Sequence, residues 1–200
     1  MDNKNENASL NTSAESMASK RLPQVVLISG PLHSGKTSLA SRISQRLHNQ
    51  GYRVSGILAP GSWKNGVRTG FDLNVLQTGK TFFLAERCSM PPHHSPNTVP
   101  FRFDEAAINA GRDALHPDIC RDFDVIFVDE VGRLELKGLG WAPCLQPLLD
   151  LPDKLHIWIV RETLVESVCE IWNIRPLSVV NAARPDAEDT LWQICRRTLC

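Results

Sequence analysis

Apolar and polar positions along the chain follow two periods, and each change of period marks an element. Val25-Val26-Leu27-Ile28 is an unbroken β-branched and aliphatic run, which predicts a strand covered on both faces. Leu39, Ile43 and Leu47 then recur at helical spacing with Arg42 and Arg46 between them, and the pattern stops at Asn49-Gln50-Gly51. Residues 53–58 read as a second strand closed by Ala59-Pro60-Gly61. Strand, helix and strand make one βαβ unit, which implies a right-handed crossover and a parallel sheet.

From residue 67 to 86 the period shortens towards two. Residues 67–73 and 81–85 read as short strands around a turn near Gly79-Lys80, so an antiparallel β excursion is expected beside the parallel core. Residues 90–100 hold four prolines and two histidines, which predicts an irregular surface loop. Structure resumes at Phe101-Arg102-Phe103; Asp104 is a plausible N-cap for a helix carried by Ala106, Ala107, Ala110 and Leu115 to His116-Pro117. Further on come a strand over 124–130, a helix over 141–151 interrupted by Pro143 and Pro147, and a buried strand over 155–160. A helix opening at Thr163 and running through Ile171-Trp172, a last strand over 177–180 and an amphipathic helix over 186–200 complete the chain. Residues 1–21 are rich in Asn, Ser and Glu with little to bury, so they are expected to be a disordered tail before one domain over 22–200.

Charge narrows the possible partners. Lys plus Arg and Asp plus Glu balance at 22 each, so no global field recruits nucleic acid or an anionic membrane, and any anion site must be local. No apolar run approaches a membrane span and the N-terminus lacks a signal-peptide pattern, so the expected location is the cytoplasm. The 6 cysteines include no C-x-x-C, which argues against a structural zinc or iron–sulfur site and for mostly buried thiols. His93 and His94 are adjacent and have no Cys or carboxylate at ligand spacing, so a solvated loop explains them better than a metal.

Candidate chemistry begins at Gly30-Pro31-Leu32-His33-Ser34-Gly35-Lys36-Thr37, which fits G-x-x-x-x-G-K-[ST] between a strand and a helix, the setting a phosphate-binding P-loop requires. Gly30 and Gly35 let the backbone approach phosphate, Lys36 would reach the β- and γ-phosphates, and the Thr37 hydroxyl would ligate Mg²⁺ at the positive end of the following helix. The second signal is the strand 124–128 running into Asp129-Glu130. Two carboxylates at the end of a fully apolar strand read as a Walker B motif, with Asp129 holding Mg²⁺ and Glu130 free to orient or deprotonate a nucleophile. Arg161, just past the strand 155–160, is either an arginine finger towards the γ-phosphate or a strand-end salt bridge. Asn181 and Arg184 follow the last strand as either base-contacting residues or a polar turn, and the 5 tryptophans read mostly as core or partner surface.

Residues 129–136, Asp-Glu-Val-Gly-Arg-Leu-Glu-Leu, resemble the D-E-I-G-K-M-E-L signature of the thermostable-type nucleoside-triphosphatases, a nucleotide kinase-related P-loop family. Asn65-Gly66-Val67-Arg68-Thr69-Gly70-Phe71-Asp72 is similar to that family's Gly-rich turn followed by R-x-G-F-D, and the likeness covers most of 24–136 before fading. The resemblance implies a RecA-like P-loop NTPase fold, three-layer α/β/α with a mainly parallel sheet, and Mg²⁺-dependent hydrolysis of nucleoside triphosphates with loose base preference. It carries Gly30 through Ser38 over as the phosphate cradle, Asp129 as the metal-associated carboxylate and Glu130 as the base, and marks Arg68 and Glu135 as motif residues. Two positions depart from the family pattern: His33 stands where glycine is usual, and Arg133 where lysine is more common. Residues alone leave three readings open, namely a hydrolase, a nucleoside or nucleotide kinase, and a nucleotide-dependent adapter in a cofactor pathway.

Overall fold

The strands that carry the apolar runs are paired with one another rather than with the excursion. A computed structural model of the chain describes residues 23–88 and 101–199. Its strands are β1 (Gln24–Ser29), β2 (Val54–Leu58), β3 (Gly61–Lys64), β4 (Val67–Val75), β5 (Lys80–Arg87), β6 (Phe101–Phe103), β7 (Val125–Val131), β8 (Leu155–Val160) and β9 (Ser178–Asn181). The helices are α1 (Lys36–Asn49), α2 (Glu105–Ala114), α3 (Pro117–Cys120), α4 (Ala142–Leu149), α5 (Val165–Ile171) and α6 (Ala187–Leu199).

One sheet holds them in the order β6-β5-β4-β2-β7-β8-β1-β9, with β3 paired to β4. β2, β7, β8, β1 and β9 are parallel, and β3 to β6 join antiparallel at the β2 side. The expected excursion is therefore a continuation of the same sheet, attached through Ile57 opposite Val75 and Leu58 opposite Asn74. The continuous apolar runs follow from burial on both faces. Val26 and Ile28 pack with Leu39, Ile43 and Leu47 of α1 and Leu191 of α6, whereas Val25 and Leu27 pack on the opposite face with residues of α2, α4 and α5. The result is a three-layer α/β/α arrangement around a mainly parallel sheet, as expected.

Several boundaries differ from the pattern. Pro60-Gly61 does not end in a turn but leads into β3, whose backbone pairs with β4. The helix expected to break at its prolines is continuous: Pro143 stands in the first turn, where no N–H donor is needed, and Pro147 forfeits one bond just before the helix ends at Leu149. The segment from Thr163 starts as a 3-10 turn, Glu162–Leu164, before α5. Of the cysteines among the described residues, Cys120 and Cys195 are buried, Cys144 and Cys169 half-buried and Cys88 exposed, and no disulfide joins these five. The tail over 1–21 and the loop over 90–100 with His93 and His94 lie outside the described residues. Among the described residues, no helix is long and apolar enough to cross a membrane.

Candidate active site

The loop between β1 and α1 has the backbone that its two glycines allow. Gly30 (φ 139°) and Gly35 (φ 81°) both take positive φ, and Gly35 is the N-cap of α1, so the first amides of that helix stay free to meet an anion. His33 takes φ 64°, a left-handed conformation that side chains with a Cβ rarely adopt, which is a physical reason for glycine at this position in the resembling family. Lys36 is buried and folds back over the loop, its Nζ donating to the carbonyls of Gly30 (3.0 Å) and Pro31 (2.7 Å). Burial lowers its pKa, with Glu130 and Asp129 pulling the other way and Arg161 adding to the fall. Ser34 Oγ and Arg68 Nε, both along this groove, are enclosed without a hydrogen-bond partner among the described residues. The groove encloses about 520 Å³.

β8 lies between β1 and β7, so the loop after β1, the end of β7 and Arg161 just past β8 converge. Asp129 is 1 % exposed and its Oδ2 accepts from the Ala59 N–H at 3.0 Å. Burial pushes its carboxyl up to about 7; the Ala59 amide, the nearby Thr37 hydroxyl and Lys36 all act against that rise, while Glu130 adds to it. The register of β7 against β8 shifts between Asp129 and Val131, so Glu130 is an extra residue at a bulge and is free to leave the sheet plane. Its Oε1 accepts from Arg161 Nε at 2.7 Å, with both side chains partly exposed. Of the two expectations for Arg161, the geometry therefore contains the salt bridge, and places it inside the cleft where Glu130 and Asp129 lie.

The β3–β4 hairpin supplies a wall that the sequence pattern did not single out. Arg68 lies between two rings, its guanidinium carbon 4.9 Å from the centre of Trp63 and 4.9 Å from that of Phe71. Gly61 makes room for this stack, since a Cβ there would come within 2.7 Å of Arg68 Nε. Trp63 also meets the His33 ring at 5.4 Å and is half exposed, whereas Trp141, Trp158 and Trp172 are buried, so these tryptophans divide between surface and core. The only prior signal for this wall was the R-x-G-F-D likeness, which named Arg68 and Phe71 without their partner. Glu135, the other motif residue, is buried and accepts from the backbone N–H of Gly132 (2.8 Å) and of Trp141 (3.1 Å). It ties together the loop after β7 rather than facing the groove. Asn181 closes a local turn by accepting from Ala183 N–H at 2.9 Å, and its side chain lies beside Gly30. Arg184 pairs with Asp186 on an exposed turn and lines neither cavity at the site.

Thr37 and Asp129 offer the hard oxygens that Mg²⁺ takes. A buried carboxylate pushed towards its neutral form, with a hydroxyl nearby, is the kind of donor pair a divalent cation would suit. Among the described residues no cluster of three or more His, Cys, Asp or Glu forms a cage, so such a cation would rest on these two side chains together with water and phosphate.

Sheet order, loop and strand-end carboxylates define a P-loop nucleoside-triphosphatase fold. A family model described as NTPase matches residues 25–193, and the chain belongs to that family. It is 36% identical over 136 residues to the nucleoside-triphosphatase THEP1 of Pyrococcus abyssi, covering 68% of this chain and 73% of the relative. It is 30% identical over 151 residues to the THEP1 of Methanothermobacter thermautotrophicus, covering 75% and 83% respectively. In fold it is similar to the solution structure of a human cancer-related nucleoside triphosphatase (TM-score 0.63, 21% identity, 88% of this chain and 96% of that one). THEP1 from Aquifex aeolicus gives a TM-score of 0.62 at 20% identity, over 88% of this chain and 99% of that one.

Proposed function

We propose that the protein hydrolyses nucleoside triphosphates to diphosphate and phosphate in the groove between the loop and the end of β7. The observation that carries this reading is the convergence of Lys36, Thr37, Asp129 and Glu130 on one groove, whose enclosed Ser34 and Arg68 polar atoms lack partners among the described residues. Phosphate oxygens would take the place of the Gly30 and Pro31 carbonyls as acceptors for Lys36, and the amides of Gly35 and the start of α1 would meet the phosphate chain. Mg²⁺, held by Thr37 and Asp129, would neutralise charge on the β- and γ-phosphates. Glu130, projected by the bulge and held in orientation by Arg161, would take the proton of an attacking water. Arg161, freed from or sharing that pair, would face charge that develops on the γ-phosphate.

Phosphate release from ATP, GTP, CTP and UTP with Mg²⁺ tests the reading, with Glu130→Gln as control. The expected result is release without any added acceptor, reduced about a hundredfold or more in the variant while nucleotide binding persists. Equal loss of binding would move Glu130 to the metal, and absence of release from all four nucleotides would overturn the proposal.

A further inference from the structure

Beside the groove lies a second cavity of about 330 Å³, and its lining differs in kind. One side is apolar and aromatic: Phe71, Leu84, Phe101 and Phe103 from the antiparallel extension, Ile108 from α2, and Trp141. Phe71 and Phe101 are already locked edge to face, with ring centres 4.8 Å apart, so the pocket is pre-formed at that wall. The other side carries Arg68, Arg161, Asp129 and Glu130, which the two cavities share or adjoin.

Charge at this cavity is unevenly committed. Glu135 is taken up by two backbone amides, Asp129 by the Ala59 amide, and Glu130 by Arg161. Arg68 Nε is enclosed without a partner, and no carboxylate among the described residues pairs with Arg87 or Arg133, which also line the cavity. Uncommitted guanidinium groups beside aromatic walls suit a ligand that has both a ring and an anionic group. A volume near the lower end of the range of about 300–1,000 Å³ usual for small-molecule sites limits it to one ring system.

We infer that this cavity is a second ligand site for an aromatic or heteroaromatic monoanion or dianion of nucleoside-monophosphate size, its ring against Phe101, Phe103 and Ile108 and its anionic group towards the arginines. The inference rests on the hydrolase reading only in assigning the neighbouring groove to the triphosphate. Because Arg68, Phe71 and Glu130 border both spaces, the two ligands meet at Glu130 and each alters the affinity of the other.

The test is calorimetric titration of the full chain with AMP, GMP, CMP and UMP, using adenosine and ribose 5-phosphate as the ring without the anion and the anion without the ring. Titrations are run with the phosphate-binding groove filled by a non-hydrolysable ATP analogue and Mg²⁺. At least one monophosphate is expected to bind with the groove filled, with each half-ligand at least about tenfold weaker. Ile108→Trp, which fills the apolar side, and Arg87→Gln, which removes a surface charge, should each weaken the monophosphate about tenfold or more while phosphate release from ATP is unchanged. No saturable binding, complete displacement of the monophosphate by the analogue, half-ligands that bind as tightly as the whole, or affinity indifferent to both substitutions would each overturn the second site. Loss of phosphate release in the unmodified chain with monophosphate binding intact would instead sink the hydrolase reading alone.

Discussion

Lys36 and His33 show how much of the proposed chemistry rests on single side chains of one loop. The Lys36 ammonium spans the loop between two carbonyls, and its charge works against the rise of the buried Asp129 carboxyl. Lys36→Ala should abolish nucleotide binding or phosphate release while the melting temperature moves by only a few degrees, since both its bonds stay within the loop. Unchanged hydrolysis would refute the site. His33→Gly is a balance of three terms. Relief of a left-handed φ contributes about 1–2 kcal/mol, while extra unfolded-state freedom costs about 0.4–1 and the lost ring contact with Trp63 about 0.5–1.5. The expected outcome is stability unchanged to within about 1 kcal/mol by denaturant melts, with turnover preserved or raised. A clear fall in turnover would mean that the imidazole itself takes part.

At the scale of elements, the loop between β7 and α4 depends on Glu135 as the P-loop depends on its glycines. Its carboxylate is the acceptor for two amides, and burial pushes its pKa up while those same amides oppose the shift. Glu135→Ala strands both N–H groups and should cost about 2–4 kcal/mol, lowering the melting temperature by about 2–4 °C per kcal/mol, with ATP binding retained. A variant as stable as the parent would show that water replaces the carboxylate. The elements themselves were legible where one physical cause dominates. The apolar runs of β1, β7 and β8 announce strands covered on both faces, and Leu39, Ile43 and Leu47 announce α1. β3 was not legible, because Gly61-Ser62-Trp63-Lys64 has no alternation and owes its strand form to backbone bonds with β4. α4 runs on past its prolines, which local pattern alone predicts to interrupt it, because Leu145, Leu148 and Leu149 are buried against the sheet side and Pro147 forfeits only one backbone bond.

The whole molecule adds what no local pattern contains, namely which strands are neighbours. Both motifs of the proposed phosphate site are contiguous in sequence and legible there, but the Arg161–Glu130 pair, the Trp63–Arg68–Phe71 stack and the second cavity arise from strand order and from the sheet's antiparallel extension. The same burial that unites the sheet encloses His156 in β8, between Val25 of β1 and Ile126 of β7, with neither ring nitrogen partnered among the described residues. Burial, helped by the nearby Lys154 charge, pulls its pKa down from 6.5 to about 4. The folded state therefore holds this ring neutral while the unfolded chain binds a proton below pH 6.5. Its share of stability is fully present above that pH and is lost as pH falls towards 4. Replacing it with leucine removes both the buried polar atoms and the titration, so His156→Leu should match or exceed the parent at pH 7. Its advantage should then widen by roughly 3 kcal/mol between pH 7 and pH 4. Urea melts of the two proteins across that range decide it. Because every other titrating group is common to both, only the difference between the curves carries the signal, and curves that stay parallel down to pH 4 would mean that His156 is not held neutral by the fold.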